Sequence, residues 1–297
     1  MWTTAPSAGG PFSMQLGATM GIYVQFPEFR THVAIKEEVN SAIMGLLAGS
    51  QMAAHLLQLT EGSDHLLAEV FPQIPHIKRF NLTTPAARSI LNSADSHLGA
   101  MAVPYVLGTH EDYLKACLKL VERYNGVNLG SANIKSAAQH EKLQDNSASN
   151  FDNVSLEQFH LVRKMRNCTI HAGGAVNKPL ENHSSKMSPA ARAGWKSLAG
   201  YDPSFTEGQG SVHFGYRETI ATLAITKNLA RQANLILQES ISRESWGKIL
   251  MLDLDESGPG IPKDPHMRIR KVRGYARHYY SALKLSSKEI ETINAKY

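Results

Sequence analysis

The stretch SLEQFHLVRKMRNCTIHAGG, residues 155–174, decides the fold class. Four of its residues follow one another at intervals of four, three and four, namely Leu161, Met165, Cys168 and Ala172. This spacing places them on one face of an α-helix, and we predict that the face is buried. Ser155 and Gln158 have the spacing of a capping box at the start of this helix, and Gly173-Gly174 predicts its end near Ala172.

Helical spacing of apolar residues recurs along most of the chain. It predicts long helices at 31–59, 84–103, 109–125 and 216–242, with Pro104 separating the second from the third. Thr84 followed by Pro85 is typical of a helix start, and Gly126 is typical of a helix end. Shorter helices are predicted near 136–143 and 189–198. Two more close the chain, the last of them capped by Ser286 or Ser287.

Three stretches depart from helical spacing. KILMLDLDE, residues 248–256, predicts a strand, and a second, short strand is predicted around Gly21 to Gln25. The polar stretch 127–153 predicts a binding loop or a mobile segment. We therefore predict a mainly α protein, a helical bundle with an irregular N-terminal segment and a small α/β or helical C-terminal extension. The predicted division is 1–83, a helical or irregular segment packed on the core, 84–245, the bundle, and 246–297, a basic extension.

Composition limits the class of protein further. With 297 residues, 42% of them hydrophobic, the chain can bury a sizeable core. It has no apolar run long enough for a membrane span and no signal-peptide pattern, so we expect a cytoplasmic protein without a membrane partner. The two cysteines, Cys117 and Cys168, lie in helical patterns, and we expect them to be reduced core residues.

The formal net charge of +5 is concentrated near the C-terminus. KDPHMRIRKVRGYARH, residues 263–278, contains six Lys or Arg residues and one Asp. Such a run is either a solvated surface or a contact for an anionic partner such as RNA. Its candidate RNA contacts are Arg268, Arg270, Lys271 and Arg273. Tyr279 and Tyr280 follow, and they either stack on bases or pack within the C-terminal helix.

Arg166, Asn167 and His171 lie off the predicted buried face. Asn167 and His171 are four residues apart, so the amide is placed to orient the imidazole. Arg166 lies about 140° round the helix from His171, so a shared site needs the long guanidinium to reach round, or a second copy across a dimer axis. An imidazole, a guanidinium and an amide are what metal-free cleavage of an RNA phosphodiester requires, since the 2′-hydroxyl itself serves as nucleophile.

The spacing of Arg166 and His171 is not specific by itself. About two such Arg-to-His spacings are expected by chance in a chain with this many arginines and histidines, and Arg273 and His278 form a second one. The alternative interpretation is a surface arginine and a helix-ending histidine that packs or caps. The asparagine after Arg166 and the Gly-Gly helix end favour the first pair.

The stretch LVRKMRNCTIHAGG, residues 161–174, resembles the signature of the HEPN superfamily, all-α domains named for higher eukaryote and prokaryote nucleotide binding. Active members carry Arg, four to six residues and then His, often with Asn directly after the Arg. HEDYLKACLKL, residues 110–120, is similar to an earlier helix of the family that carries an acidic residue. The resemblance covers roughly residues 84–242.

The resemblance implies a metal-independent ribonuclease that acts as a homodimer, with two Arg/His motifs meeting in one cleft. It implies catalytic roles for Arg166, His171, Asn167 and, at the acidic position, Glu111 or Asp112. The neighbouring Arg163 and Lys164 are candidate RNA contacts. Toxins and phage-defence effectors are common in the family, often with a regulatory protein or antitoxin. In one branch of the superfamily, a tyrosine lies two residues after the motif histidine. This chain has Gly173 at that position.

Other interpretations remain open. Glu111 and Asp112 also fit as acidic residues of a first helical turn. A non-catalytic RNA- or nucleotide-binding module, or a helical interaction protein whose basic tail meets an acidic partner, would have the same composition. We expect no cofactor and no metal site, because no histidines are three or four residues apart and the chain lacks a Gly-rich phosphate loop.

Overall fold

The computed structural model describes residues 22–257 and 260–297. In these ranges the chain forms twelve α-helices: α1 (Pro27–Gln58), α2 (Leu67–Val70), α3 (Thr84–Asn92), α4 (Ala94–Asn125), α5 (Gln139–Gln144), α6 (Asn153–His171), α7 (Lys178–Lys186), α8 (Pro189–Ala199), α9 (Tyr216–Ser240), α10 (Arg243–Glu256), α11 (Pro265–Tyr279) and α12 (Ser287–Lys296). Three 3₁₀ turns lie at Ile77–Arg79, Ser136–Ala138 and Ser281–Leu283. β structure in the described ranges is limited to three isolated bridges. The predicted mainly α class is confirmed.

Helix α4 lies at the centre of the bundle. It packs most extensively against α9 and α1, and it also contacts α5 and α6. Helix α6 packs on α9, α7 and α8, while α10, α11 and α12 contact one another. The core therefore runs continuously through α4, α6 and α9, the helices with the longest buried apolar faces.

The strand predicted at 248–256 is wrong, since these residues lie inside α10. Trp246, Leu250 and Leu254 are four residues apart and buried, which is helical spacing. The prediction failed because a short apolar run cannot be assigned to strand or helix by its pattern alone. Asp253, buried in the same run, is paired with Arg30 of α1 at 2.7 Å.

The strand predicted at 21–25 is also not formed where the chain is described. Gly21 itself lies outside the described residues. Val24 is buried in extended backbone, and its partner is a side chain: its N–H donates to the Asn234 amide oxygen at 3.1 Å, and the Asn234 amide donates to its carbonyl at 2.8 Å. An asparagine of α9 thus replaces the neighbouring strand.

Pro104 does not interrupt the helical run, because it lies inside α4, which is 32 residues long. A proline removes one N–H donor and costs about 3 kcal/mol inside a helix. The neighbouring Val103, Val106 and Leu107 are all buried, and tertiary packing overrides this local cost. The predicted start at Thr109 is accordingly absent, and its hydroxyl donates to the Tyr105 carbonyl within α4.

The predicted cap of α3 is wrong, and several predicted helix ends are confirmed. Thr84 is the first residue of α3 rather than its cap, and its hydroxyl donates to the Ser63 carbonyl at 2.8 Å. Gly126 ends α4 with a φ of 69°, as predicted. Ser286 caps α12, with Glu289 completing a capping box. Helices α5 and α8 form close to their predicted positions, whereas α7 was not predicted.

The long helices raise the question of membrane insertion. None of the helices in the described ranges combines the length and the apolar character that crossing a membrane requires.

Candidate functional site

Helix α6 begins one turn earlier than predicted. Asp152 is its cap, and the Asp152 carboxylate accepts from the N–H groups of Val154 and Ser155 at 3.4 and 2.9 Å. The predicted cap Ser155 lies inside the helix, and its hydroxyl donates to Asp152 at 2.7 Å. Asn228 of α9 in turn donates to Ser155, so the start of α6 is fixed to α9.

The buried face of α6 is confirmed for three of its four predicted residues. Leu161, Met165 and Cys168 are buried. Ala172 is exposed because it follows the last helical residue. The N–H of Gly174 donates to the Cys168 carbonyl at 3.0 Å, and both glycines have a positive φ, so the helix ends where the sequence predicts.

The turn after α6 is held by the loop before α9. The N–H of Val212 donates to the Gly174 carbonyl at 2.7 Å, and Ala175 forms a bridge with Ser211. A Cβ at Gly174 would lie 3.3 Å from the Val212 carbonyl oxygen, at a φ of 90°. The C-terminal end of α6 is therefore attached to the bundle at a defined position.

The three motif residues lie at this end of α6 in different environments. His171 is the last helical residue, it is exposed, and its ring makes no hydrogen bond or ion pair with any described residue. Arg166 is half-buried, and its Nη1 donates to the Asn167 amide oxygen at 3.3 Å. The Asn167 side-chain oxygen is thus bound to the guanidinium, and no hydrogen bond joins the side chains of Asn167 and His171 among the described residues.

Two further cations lie on the same helix. Arg163 and Lys164 are half-buried, and within the described part of the chain neither they nor Arg166 form a salt bridge. Burial lowers the pKa of Arg163, the charge of Arg166 lowers it further, and the carboxylate of Glu111 opposes the shift. Burial and the charge of Arg163 likewise lower the pKa of Lys164. The Nε atoms of Arg163 and Arg166 are buried without hydrogen-bond partners.

Glu111 therefore lies close to Arg163, on the neighbouring α4. Asp112, the other candidate for the acidic position, is exposed and pairs with Lys115 at 3.4 Å. Both residues lie in the middle of α4, so neither is in a first helical turn. Of the two, Glu111 is the one that the structure brings near the cations of α6.

Most of the basic C-terminal candidates are already bound within the chain. Arg268 donates to Asn294, and Arg273 pairs with Glu291 at 2.6 Å. The Lys271 ammonium donates to the Gly260 carbonyl. Arg270 is exposed, and it is the one of the four without a partner among the described residues.

The tyrosines that follow this segment are packed against the protein. Arg30 lies over the Tyr279 ring at 4.6 Å, and buried Tyr280 donates to Asp253 at 2.8 Å. Of the two interpretations of Tyr279 and Tyr280, the structure confirms that they pack against the protein.

A row of five imidazoles crosses the core and was not predicted. One ring each comes from α1, α4, α5, α6 and α7, namely His32, His110, His140, His160 and His183. Successive ring centroids are 6.2, 5.2, 6.4 and 6.2 Å apart. The Nε2 atoms of His110 and His140 are 3.0 Å apart. Burial lowers the pKa of His140 to about 3 and the pKa values of His32 and His160 to about 4. We call these residues the histidine row.

No sequence signal could have found the histidine row, because its members come from five helices and successive members are separated by 20 to 78 residues along the chain. Within the described residues, no group of three or more His, Cys, Asp or Glu side chains has a geometry that could hold a metal ion. An open pocket of about 420 Å³ lies between residues 66 and 82, and none of its lining residues belongs to the α6 motif.

Comparison with known proteins gives no relative. No protein-family model matches the chain, and neither does any curated protein sequence or solved structure. The resemblance to the HEPN superfamily therefore depends on the residues of α4 and α6 alone.

Proposed function

We propose that the C-terminal end of α6 is the active site of a metal-independent RNA endonuclease of the HEPN type. The observation that carries the proposal is a set of three half-buried cations without salt bridges among the described residues, Arg163, Lys164 and Arg166, on the helix that ends at the exposed His171. Half-buried guanidinium groups with unsatisfied N–H donors favour an anionic ligand, and a phosphodiester has the charge and the acceptor geometry that they need.

The basic groups of α6 support the proposal better than those of α11. Three of the four candidate residues of α11 have intramolecular partners, so binding RNA there would first break existing contacts. On α6 no salt bridge has to be broken in the described part of the chain. We therefore propose that α6 holds the scissile phosphate and that Arg270 contributes at most a distant backbone contact.

The chemistry that these groups provide is transesterification. His171 would take the proton of the 2′-hydroxyl, whose oxygen attacks phosphorus while the bond from phosphorus to the 5′-oxygen breaks. The leaving oxygen would take a proton from a protonated imidazole, which in a homodimer is the His171 of the second copy. The products are a 2′,3′-cyclic phosphate and a 5′-hydroxyl. Arg166 would neutralise the charge that develops on the phosphate oxygens.

Glu111 would act indirectly in this scheme. Its charge raises the pKa of Arg163 against the effect of burial, so it would stabilise the charged guanidinium from α4 rather than touch RNA. Asn167 would position Arg166 through their 3.3 Å hydrogen bond. These roles differ from orientation of the imidazole.

The test is incubation of the purified protein with total RNA in EDTA. We expect His171→Ala and Arg166→Ala each to lower the cleavage rate by about 100-fold or more, because a general acid–base group contributes about 10²- to 10⁴-fold and a group that stabilises developing charge about 10²- to 10³-fold. The matched control is Arg273→Ala/His278→Ala, which removes the other Arg-to-His pair of the same spacing. This double variant should cleave RNA at a rate within about 2-fold of the parent rate, because it leaves the proposed acid–base residue His171 in place.

Two results would contradict this assignment. One is the absence of any RNA cleavage by the parent protein. The other is equal cleavage by His171→Ala with an unchanged circular dichroism spectrum. Cleavage products that lack 2′,3′-cyclic phosphate ends would show a different chemistry.

A non-catalytic RNA- or nucleotide-binding module is the second candidate, and one observation favours it. The Asn167 oxygen is bound to Arg166, and His171 has no partner that would orient its ring. For this function we expect RNA binding without cleavage. Arg163→Ala should then reduce the slope of log affinity against log salt by about 1, and Arg273→Ala should leave it unchanged.

A further inference from the structure

Helix α1 has two apolar faces, and only one of them is covered by residues that the structure describes. Its inner face is buried against α3 and α4 and consists of Ile43, Leu47, Ala54 and Leu57. A second row of apolar residues lies on another side of the helix, at intervals of three, four, three, four and three: Ala42, Gly45, Gly49, Met52, Leu56 and Leu59. We call this second row the outer seam. All of its members are exposed.

The exposure of the outer seam is large. Met52 is 68% exposed, Leu56 is 56% exposed, and Leu59, directly after the last helical residue, is 86% exposed. Leu46, beside the seam, is 58% exposed. A Cβ added at Gly45 or Gly49 would meet nothing within 4 Å, so the surface between the large residues is open.

The outer seam is also free of charge. From residue 39 to residue 60 the chain contains no Asp, Glu, Lys or Arg, and the nearest charged residues are Glu38 and Glu61. A solvent-facing helix normally carries charged residues on its outer side. A helix that is apolar all round is normally buried all round. The composition of residues 41–59, whose exposed polar residues Ser41, Gln51, His55 and Gln58 are not acidic, Lys or Arg, therefore fits a helical segment whose outer face is covered by an uncharged apolar surface.

We propose that the outer seam is the contact between two copies of this chain, with the two α1 helices packed antiparallel. Intervals of three and four are the heptad spacing of a helix that packs against a helix. A two-fold axis between residues 50 and 51 pairs positions whose numbers add to 101. These pairs are Ala42 with Leu59, Gly45 with Leu56, and Gly49 with Met52. Every layer then contains one small and one large residue.

This pairing favours a second copy over an unrelated partner. The three small residues are in the first half of the seam and the three large residues are in the second half, so an antiparallel copy supplies what each half lacks. A parallel copy would place glycine against glycine and leucine against leucine. Since alternation of large and small residues across facing positions fills space well, the antiparallel arrangement packs without voids.

The area is sufficient for a dimer of moderate affinity. The four exposed large residues, Leu46, Met52, Leu56 and Leu59, present on the order of 500 Å² per chain, or roughly 1,000 Å² in a dimer, which is near the lower limit for a specific interface. We therefore expect a dissociation constant on the order of micromolar. The inference uses residues 42–59 alone and does not rest on the proposed RNA chemistry.

Sedimentation equilibrium of the full chain between about 1 and 100 µM tests the contact. The parent protein should shift from 32.6 kDa towards twice that mass. Leu56→Glu should remain monomeric, because it places a charge in the seam. Gln58→Glu adds the same charge to an exposed position of the same helix outside the seam, and it should dimerise like the parent. Since Leu56 is exposed, thermal melts of the three proteins should agree at concentrations well below the dimer dissociation constant, where dimerisation adds no stability.

A cysteine pair tests the antiparallel register. In the double variant Ala42→Cys/Leu59→Cys, mild oxidation should link two chains covalently, since residue 42 faces residue 59 of the other copy. The single variant Leu59→Cys should not form a disulfide between chains, because the two copies of residue 59 lie at opposite ends of the seam. The two native cysteines are buried and leave this readout clear.

Several results would overturn the proposal. A parent protein that stays at 32.6 kDa up to about 100 µM would do so, because a micromolar dimer is then absent. Dimerisation of Leu56→Glu equal to that of the parent would place the contact elsewhere. A monomeric parent that floats with phosphatidylcholine vesicles, while Leu56→Glu does not, would identify the seam as a membrane-binding surface instead.

Discussion

Replacing His32 with phenylalanine should make the protein less sensitive to acid. His32 begins the histidine row and is 5% exposed; the Thr109 backbone lies near its ring, but neither ring nitrogen makes a hydrogen bond of standard geometry in the described part of the chain. Its ring stacks on Tyr113 with centroids 4.5 Å apart. Phenylalanine can keep this stacking and removes both unpaired nitrogens. The pocket that His32 shares with Lys36 is only about 10 Å³, so the larger ring has to be accommodated by small shifts.

The magnitude follows from the pKa of His32. Burial, and then the charge of Lys36, lower this pKa from 6.5 to about 4. The folded protein therefore prefers the neutral ring, and the unfolded chain binds more protons as the pH falls below about 6.5. The contribution of His32 to the free energy of unfolding is fully present above about pH 6.5 and is lost as the pH falls from about 6.5 to about 4. Between pH 7.5 and 5.0 the loss is about 2 kcal/mol.

Urea unfolding followed by far-ultraviolet circular dichroism, at pH 7.5 and at pH 5.0, measures this loss. We expect His32→Phe to lose about 2 kcal/mol less than the parent between the two pH values. Loss from His140 and His160, whose pKa values burial also lowers, should remain in both proteins. The control His97→Gln, at an exposed position of α4, should behave as the parent. Equal losses for the parent and His32→Phe would refute the assignment of acid sensitivity to this ring.

Two further changes test how the bundle is held together. Asp253→Asn should lower the free energy of unfolding by about 3–5 kcal/mol, because it breaks a buried ion pair, whereas Asp255→Asn at an exposed position should change it by less than about 0.5 kcal/mol. Gly99→Ala should destabilise by about 1–3 kcal/mol, because its Cβ would overlap the backbone carbonyl of Phe214. Gly108→Ala, in open space on the same helix, should stabilise by about 0.5–1 kcal/mol. Chemical denaturation at pH 7.5 measures all four changes, and equal effects of the two alanines would contradict the packing argument.

The sequence predicted those helices whose signals are local. Ser286 with Glu289 is a complete capping box, and Gly126 and Gly173-Gly174 are helix ends that need only the neighbouring turn. The strand at 248–256 and the break at Pro104 failed for the opposite reason. In both places distant helices decide the outcome, through Arg30 at Asp253 and through burial of Val103 and Val106 at the proline.

The candidate site shows the same division. The position of Arg166 and His171 at the end of α6 follows from residues within one helix and was predictable. The partner of Asn167 was not, because an amide four residues from His171 and next to Arg166 can serve either one, and only the coordinates select Arg166. The role of Glu111 beside Arg163 likewise needs the packing of α4 on α6.

The buried face and the exposed face of α1 could not be told apart from the sequence, although the residues of both are present in it. Ile43 and Leu47 belong to the inner face, and Gly45 and Leu56 belong to the outer seam, yet along the chain they form one uncharged apolar run. Such a run predicts a helix buried all round. The described residues cover only the inner face, and because the outer seam exposes large apolar side chains such as Met52 and Leu56, a second copy that covers it would remove apolar surface from water.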